Sequence, residues 1–282
     1  MHAAMTPRAK LALVGKYLLL TALTLTTLIP FLWMLSSSLK YETEVFTIPI
    51  QWIPSRFKWN NYSVLFERMP FDQYFLNTLK IALSVTATQL LFCSMAAFSL
   101  TKLRYPGRNG ILLLFLSTLM VPSQVMLISQ YLMVSDMRLL DTHLVLVLLN
   151  AFSPFGIFMM VQFYKAMSND MLEAARIDGA NLLQQYLYIM LPIGRSALAA
   201  LGVLVFITQM NDFMNPMIYL NSADKRTITL AIRALSGRYF TETALQMAGS
   251  VCALIPMVAL FLTAQKHIIN GLAVNGGGGI KG

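Results

Sequence analysis

Long apolar runs with at most one charged residue alternate along the chain with segments that hold most of the charged residues. An apolar run of about 20 residues, rising about 1.5 Å per residue, crosses the roughly 30 Å hydrocarbon core of a bilayer as a helix. The pattern predicts spans at residues 17–39, 81–101, 110–134, 143–164, 196–220 and 244–265. The predicted fold class is therefore all-α, a polytopic membrane protein with six transmembrane helices and both termini on one side.

The first run, 17–39, has a signal peptide as its alternative interpretation. It is longer than the apolar region of about 7–15 residues in a signal peptide, and no small-x-small cleavage site follows it. Farther along, Pro122 predicts a kink in the third span, and Asn150 and Pro154 lie inside the fourth. Residues 40–75 form the longest polar stretch and predict an external loop with short helices.

A charged island at 165–195 separates the fourth span from the fifth. Asp170 is predicted to cap a short helix, with Glu173 three positions on completing a capping box. Gly179 suits the position after a helix where the backbone needs a positive φ. Asn181 is predicted to cap a second helix that runs to Pro192. The island therefore predicts a helix, a sharp turn and another helix.

Composition agrees with the membrane class. Hydrophobic residues make up 57% of the chain and charged residues 12%, against about 25% charged in typical soluble domains. The net charge of +9 comes without a basic cluster interleaved with aromatic residues, so no nucleic acid partner is predicted. Cys93 and Cys252 lie in apolar runs and predict free thiols, and the histidines have no metal-ligand spacing.

The island carries a spaced motif: E-A-A, three residues, G, nine residues, I-x-L-P. The matching residues are Glu173, Ala174, Ala175, Gly179, Ile189, Leu191 and Pro192. This spacing resembles the signature of permease subunits of bacterial ABC importers. The segment 31–40, the pair Asn77-Thr78 and the ending 277–282 resemble the smaller six-span permease of maltose-type carbohydrate importers.

The resemblance implies that the loop at 165–195 is cytoplasmic and seats a helix in a cleft of a separate ATPase. The ATPase-coupling residues that it implies are Glu173, Ala174, Ala175, Arg176, Asp178, Gly179, Ile189, Leu191 and Pro192. Both termini would then be cytoplasmic, and residues 1–282 would form a single permease domain in the bacterial inner membrane. The Lys and Arg counts on the two sides are nearly equal, so this orientation depends on the resemblance.

The resemblance also implies the partners. These are a second, different permease, a dimer of ATPase subunits, an extracytoplasmic solute-binding protein and the lipid bilayer. The chain itself is expected to bind no cofactor and no metal, because ATP and Mg²⁺ belong to the ATPase. The expected solute is a sugar or an oligosaccharide.

Asp212 is the acidic residue well inside an apolar run, and it has Asn211 and Asn215 beside it. Intramembrane acids usually face a cavity or a partner, so these residues are a candidate solute pathway. A capping or interhelical contact is the alternative interpretation. The segment 209–213 resembles the W-N-D-F element of carbohydrate permeases, but Met210 replaces the tryptophan, which puts sugar stacking there in doubt.

The loop at Ser236, Gly237 and Arg238 lies where the family resemblance implies a probe of the binding protein's sugar cleft. Gly237 would let this loop turn tightly. A simple exposed turn is the alternative interpretation.

Catalytic motifs are missing from the sequence. Gly15-Lys16 lacks the glycine and hydroxyl residue of a Walker A motif, and there is no nucleophile elbow or His-Glu-x-x-His. The chain is therefore predicted to be a transport subunit without catalytic residues, driven by a partner that hydrolyses ATP. The alternative function is a self-sufficient channel or proton-coupled carrier that uses Asp212.

Overall fold

The structure is a computed structural model that describes residues 7–236 and 242–276. Its α-helices are α1 Pro7–Ser38, α2 Glu42–Val45, α3 Asn60–Arg68, α4 Phe71–Lys102, α5 Arg108–Thr118, α6 Leu127–Asp136, α7 His143–Leu149, α8 Pro154–Lys165, α9 Asp170–Ile177, α10 Leu182–Gln185, α11 Leu191–Ile193, α12 Arg195–Met210, α13 Met214–Tyr219, α14 Ile228–Ala234 and α15 Thr243–Gly276. Two 3₁₀ turns, Ser123–Met126 and Ala223–Lys225, and a π turn, Tyr186–Met190, join them. The all-α class is confirmed.

The described helices offer up to six membrane spans, as predicted. Single helices that are long and apolar enough are Leu13–Ser38 of α1, Phe71–Lys102 and Thr243–Thr263 of α15. Three bent pairs qualify when their halves are counted together: Arg108–Thr118 with Ser123–Asp136 (89°), His143–Leu149 with Pro154–Lys165 (47°), and Leu182–Ile193 with Arg195–Met210 (77°).

The third predicted span is broken, where the sequence predicts only a kink. α5 ends at Thr118, a 3₁₀ turn follows Pro122, and the two halves of the pair differ in direction by 89°. Pro122 has no N–H to donate to the carbonyl oxygen one turn earlier, so the helix cannot continue through it unchanged.

The fourth predicted span also has a break, at residues 150–153. The side chain of Ser153 caps α8 by accepting a hydrogen bond from the N–H of Gly156 at 2.9 Å, and Pro154 occupies the first helical position. The carbonyl oxygen of Asn150 accepts a hydrogen bond from Gln89 Nε2 of α4 at 2.8 Å. A side chain from another helix therefore satisfies backbone that the break exposes.

The prediction of the fifth span as one helix over 196–220 is wrong for the second half of that range. The chain leaves the α-helix at 211–213 before α13 begins. Pro216 has no N–H for the carbonyl oxygen of Asp212. That oxygen accepts a hydrogen bond from Thr229 Oγ1 at 2.8 Å instead.

Two predicted boundaries are also corrected. The polar loop predicted at 40–75 contains the short helices α2 and α3, as expected, but its last residues already belong to α4. α15 continues past the predicted end of the sixth span at residue 265.

The chain separates into two compact units. The first comprises the described residues of 1–69 and 232–252, and the second those of 70–231 and 253–282. In the first unit, Asn61 Nδ2 donates to the carbonyl oxygens of Ser38 at 2.8 Å and Lys40 at 2.9 Å, which ties the end of α1 to α3. The Nζ of Lys40 donates to the carbonyl oxygen of Gln51. Burial lowers the pKa of Lys40, and the nearby Glu44 carboxylate partly opposes that effect.

The core of the second unit lies where α4 packs against α8 and α12. A Cβ on Gly156 would lie only 2.9 Å from Cys93 Sγ, so the missing side chain allows α4 and α8 to approach closely. Cys93 is a buried free thiol and Cys252 is also free, as predicted. The prediction of one permease domain over 1–282 stays a prediction.

Candidate functional site

The charged island folds into α9 and the helical segment from α10 to α11. The predicted Asp170–Glu173 capping box is wrong. The N-cap position is Asn169, whose backbone is already helical (φ −90°, ψ −7°) and whose side chain makes no capping bond. The carboxylate of Asp170 instead accepts a hydrogen bond from Ser168 Oγ at 3.1 Å. Asp170 and Glu173 both lie in the first turn of α9, where their negative charge is favourable to the helix dipole.

The end of α9 is fixed by Gly179, as predicted. Its φ is +83°, and its N–H donates to the carbonyl oxygen of Arg176 at 3.1 Å. The N–H of Ala180 donates to the carbonyl oxygen of Ala175 at 2.9 Å. These two bonds form a Schellman motif, which requires a left-handed residue at the position of Gly179.

The second helical segment begins with a complete capping box, which confirms the prediction for Asn181. Asn181 Oδ1 accepts from the N–H of Gln184 at 2.9 Å, and Gln184 Oε1 accepts from the N–H of Asn181 at 2.8 Å. The π turn Tyr186–Met190 follows, and α11 continues one residue beyond the predicted end at Pro192.

Buried contacts hold α9 in the second unit. Leu172 is buried in the core of that unit. The Nζ of Lys102, at the end of α4, donates to the carbonyl oxygen of Met167 at 2.7 Å and to Asn169 Oδ1 at 2.9 Å. These contacts tie the start of α9 to α4.

A second set of bonds ties α9 to the segment that follows it. Arg176 Nε donates to Gln185 Oε1 at 3.3 Å, and Gln185 Nε2 donates to the carbonyl oxygen of Ala180 at 2.8 Å. Gln185 is buried and Arg176 is exposed, so the bridge is shielded from solvent on the Gln185 side. The helix, the turn and the second helix are therefore linked by side chains as well as by backbone.

The other face of α9 is exposed and partly apolar. Ile177 is 88% exposed and Met171 is 58% exposed. Glu173 and Ala174 are exposed beside them. An exposed apolar patch that is rimmed by polar residues can mark a contact site.

The candidate solute pathway residues make several local contacts, and Asn211 Nδ2 also donates to Met257 Sδ of α15 at 3.3 Å. The Asp212 carboxylate accepts from the N–H of Asn215 at 3.3 Å and from Asn215 Nδ2 at 2.8 Å. Asn211 Nδ2 donates to the carbonyl oxygen of Ile207 at 2.8 Å. Asp212 therefore satisfies the backbone at the start of α13, which agrees with the capping interpretation.

The predicted probing loop lies largely outside the described residues. Gly237 and Arg238 fall between the two described ranges. Ser236 is described, and its Oγ accepts a hydrogen bond from Gln246 Nε2. The role predicted for this loop stays a prediction.

Sequence reasoning missed a polar cavity in the second unit. Its volume is about 350 Å³, and it is lined by Ser123, Gln124, Leu127, Gln130, Leu149, Asn150, Met214 and Asn215. Of the candidate pathway residues, Asn215 lines it. The sequence feature that could have indicated this cavity is the occurrence of polar residues next to each interruption of an apolar run. Their convergence depends on how the broken helices pack, which hydropathy does not report.

Comparison with known proteins assigns the chain to a family. Residues 89–274 match the family described as "Binding-protein-dependent transport system inner membrane component". The chain belongs to this family. This match confirms the prediction that the chain is an ABC importer permease. It also confirms that the chain is a transport subunit rather than an enzyme and that it lies in the bacterial inner membrane.

Relatives match the permease over nearly its whole length. It is 30% identical over 267 residues to the lactose transport system permease protein LacG of Rhizobium radiobacter, covering 95% of this chain and 97% of that protein. It is 30% identical over 263 residues to the arabinooligosaccharides transport system permease protein AraQ of Bacillus subtilis, covering 92% of each. Both names describe carbohydrate transport systems.

A solved structure shares the fold. The crystal structure of a bacterial ABC transporter involved in the import of the acidic polysaccharide alginate contains a chain that aligns with a TM-score of 0.82 at 21% identity, covering 94% of the permease and 99% of that chain. Membership in a family of binding-protein-dependent systems leaves the alternative of a self-sufficient channel without support.

Proposed function

We propose that this permease imports sugars or oligosaccharides and that the segment α9–α11 couples it to an ATPase. In this proposal the loop at 165–195 and both termini are cytoplasmic. α9 seats in a cleft of one ATPase subunit, and a second, different permease completes the membrane pathway. An extracytoplasmic binding protein delivers the solute.

The exposed apolar face of α9 is the observation that carries the proposal. Ile177 exposes 88% of its surface although α9 is held firmly through Leu172 on its opposite side. An anchored helix with an uncovered apolar face outside the membrane segments is suited to insertion into a partner's groove. The small Ala174 would allow the partner's backbone to approach closely.

The local structure supports transmission of movement. The Schellman motif at Gly179 and the capping box at Asn181 set the angle between α9 and α10. The helical segment then continues through the π turn and α11 to the bend at Gly194 and into α12, which packs against α4. A displacement of α9 would therefore be passed to α12 and through it to α4.

The names of the relatives support the solute class. They include permeases for lactose, for arabinooligosaccharides and for melibiose, raffinose and stachyose. The solute class of this permease is inferred from them together with the uncharged cavity lining.

The test uses the assembled importer with its partner permease, ATPase and binding protein. Uptake of lactose, melibiose, raffinose and arabinooligosaccharides is measured in proteoliposomes together with ATP hydrolysis. We expect uptake of at least one of these sugars that depends on both ATP and the binding protein. Uptake that requires neither component would contradict the proposal.

Ile177→Asp tests the coupling role. We expect the ATPase subunits to dissociate from the complex more readily and ATP-driven uptake to fall at least about tenfold, because a desolvated carboxylate in an apolar cleft is costly. The matched control is Ile48→Asp, at an isoleucine that is 97% exposed in the loop predicted to be external. Retention of the ATPase and normal uptake in Ile177→Asp would contradict the docking role.

A further inference from the structure

Three interruptions of the membrane helices meet at the polar cavity of about 350 Å³. Ser123 and Gln124 follow the break between α5 and α6. Asn150 begins the break between α7 and α8, and Asn215 follows the break between α12 and α13. All four residues line the cavity.

Breaks inside helices that span a membrane need a physical explanation. Unpaired N–H and C=O groups are tolerated in a membrane where they are buried in protein or line a water-filled cavity. Discontinuous helices commonly form the binding sites of transporters for the same reason. Because three separate breaks meet at one cavity, a solute site explains their location better than a packing defect in one helix.

The lining chemistry defines the class of solute. The polar side chains are one hydroxyl, from Ser123, and the amides of Gln124, Gln130, Asn150 and Asn215. Each of these groups can both donate and accept hydrogen bonds. Among the described residues, no lysine, arginine, aspartate or glutamate lines the cavity. Such a surface suits an uncharged solute with many hydroxyl groups.

Charge behind the lining disfavours anions. The Asp212 carboxylate holds Asn215 Nδ2 at 2.8 Å and therefore lies immediately behind a lining residue. Its negative charge would repel a carboxylate or phosphate in the cavity. The lining offers no cation to offset that repulsion.

The site continues beyond the first cavity. A second cavity of about 400 Å³ shares Asn150 and is also lined by Gln89, Ser153, Thr208 and Gln209, among apolar residues. Asn150 therefore lies on both cavities, and its backbone is held in place by Gln89. Both cavities are lined by uncharged hydrogen-bonding groups and share Asn150.

We propose that this chain itself binds the transported solute in the cavity where its three broken helices meet, and that the site selects neutral saccharides over anionic ones. The inference rests on the proposed import function. Within it, Gln130 and Asn150 contact the solute directly, and Asp212 acts through Asn215 to position the amide and to exclude anions.

Thiol protection in the assembled importer tests the site. Ser123→Cys is compared with Ser129→Cys, an exposed position on α6 that does not line the cavity. Both are labelled with the neutral reagent hydroxyethyl methanethiosulfonate, with the wild-type chain as the blank for Cys93 and Cys252. The probes are the transported sugar from the uptake panel and two anions, lactobionate and sn-glycerol 3-phosphate.

We expect the transported sugar to slow labelling at position 123 at least about fivefold, and the anions at the same concentration to leave the rate unchanged. Labelling at position 129 should not respond to the sugar. Sugar uptake without protection at position 123 would overturn the site while leaving the import function intact. Equal protection by lactobionate would overturn the selectivity. Absence of sugar uptake by the wild-type complex would overturn the import function and this site with it.

A kinetic test does not depend on introduced thiols. Gln130→Leu should raise the KM for sugar uptake about 2- to 10-fold, the range expected for loss of an uncharged hydrogen bond. Gln162→Leu, at an exposed glutamine of α8 outside both cavities, is the control. Unchanged KM in both Gln130→Leu and Asn150→Leu would overturn direct contact.

Discussion

Two turns in the chain each depend on a glycine with a positive φ angle. Gly179 ends the coupling helix α9 with a φ of +83°, and Gly107 precedes α5 with the same φ. An added Cβ would meet no atom within 4 Å at either position. The two glycines therefore have the same φ at different places in the chain, so they form a matched pair for substitution.

Gly179→Ala should uncouple the importer, because a left-handed alanine costs about 1–2 kcal/mol and favours a different angle between α9 and α10. We expect sugar-stimulated ATP hydrolysis and uptake to fall severalfold. Gly107→Ala carries the same backbone cost and should lower thermal stability equally while uptake stays near that of the wild type. Equal uptake by the two variants would show that the angle at Gly179 is unimportant.

Asp141 is a residue whose effect on stability depends on pH. Its carboxylate accepts hydrogen bonds from Ser222 Oγ and N–H, from the N–H of Asn221 at 2.9 Å, and from Lys225 Nζ at 3.1 Å. These bonds, those from Ser222 first, hold the pKa of Asp141 well below its ordinary value. The stabilisation is therefore fully present above the ordinary pKa of about 4 and is lost as the pH falls through the lower folded value.

Asp141→Asn should lower the melting temperature of the detergent-solubilised complex at pH 7, since the amide cannot accept all four bonds. The difference from wild type should stay constant between about pH 8 and pH 5 and narrow below about pH 4. Thermal unfolding across this range measures it. A difference that widens on acidification would contradict the assigned role of the carboxylate.

At the scale of helices, the cap at Asn181 and the turn at Gly179 could be predicted, whereas the cap predicted at Asp170 was wrong and the full extent of the breaks could not be predicted. The cap at Asn181 and the turn at Gly179 follow from residues within three or four positions of each other, so a local pattern was sufficient. The breaks depend on partners far along the chain. Gln89 satisfies the carbonyl oxygen of Asn150, and Thr229 satisfies that of Asp212. No local pattern identifies such partners.

The start of α15 gives a test at this scale. Glu42 accepts hydrogen bonds from the N–H groups of Thr243 at 2.8 Å and Ala244 at 2.9 Å, so it caps a helix about 200 positions away. Glu42→Ala should cost about 1 kcal/mol of stability. Glu67→Ala, at an exposed acid of α3, should cost less than half as much. Equal melting temperatures would contradict the cap.

For the whole molecule, the apolar pattern was enough to predict the class and the number of spans, because burial in lipid acts on long segments. The pattern was insufficient for the cavity. Ser123, Asn150 and Asn215 come from three interrupted helices, and only packing brings them together. The side of the membrane on which α9 lies depends on the family motif, since the basic residues are nearly balanced between the two sides.

Crosslinking at position 177 tests the central claim most directly. Two variants of the importer are compared, one with Ile177→Cys and one with Ile48→Cys. The first assay measures an oxidative crosslink from the introduced cysteine to a single cysteine in the ATPase cleft. The second assay measures labelling of the introduced cysteine in intact cells by a membrane-impermeant maleimide. We expect position 177 to crosslink to the ATPase and to resist external labelling, and position 48 to do the reverse. External labelling of position 177 without a crosslink would contradict the account.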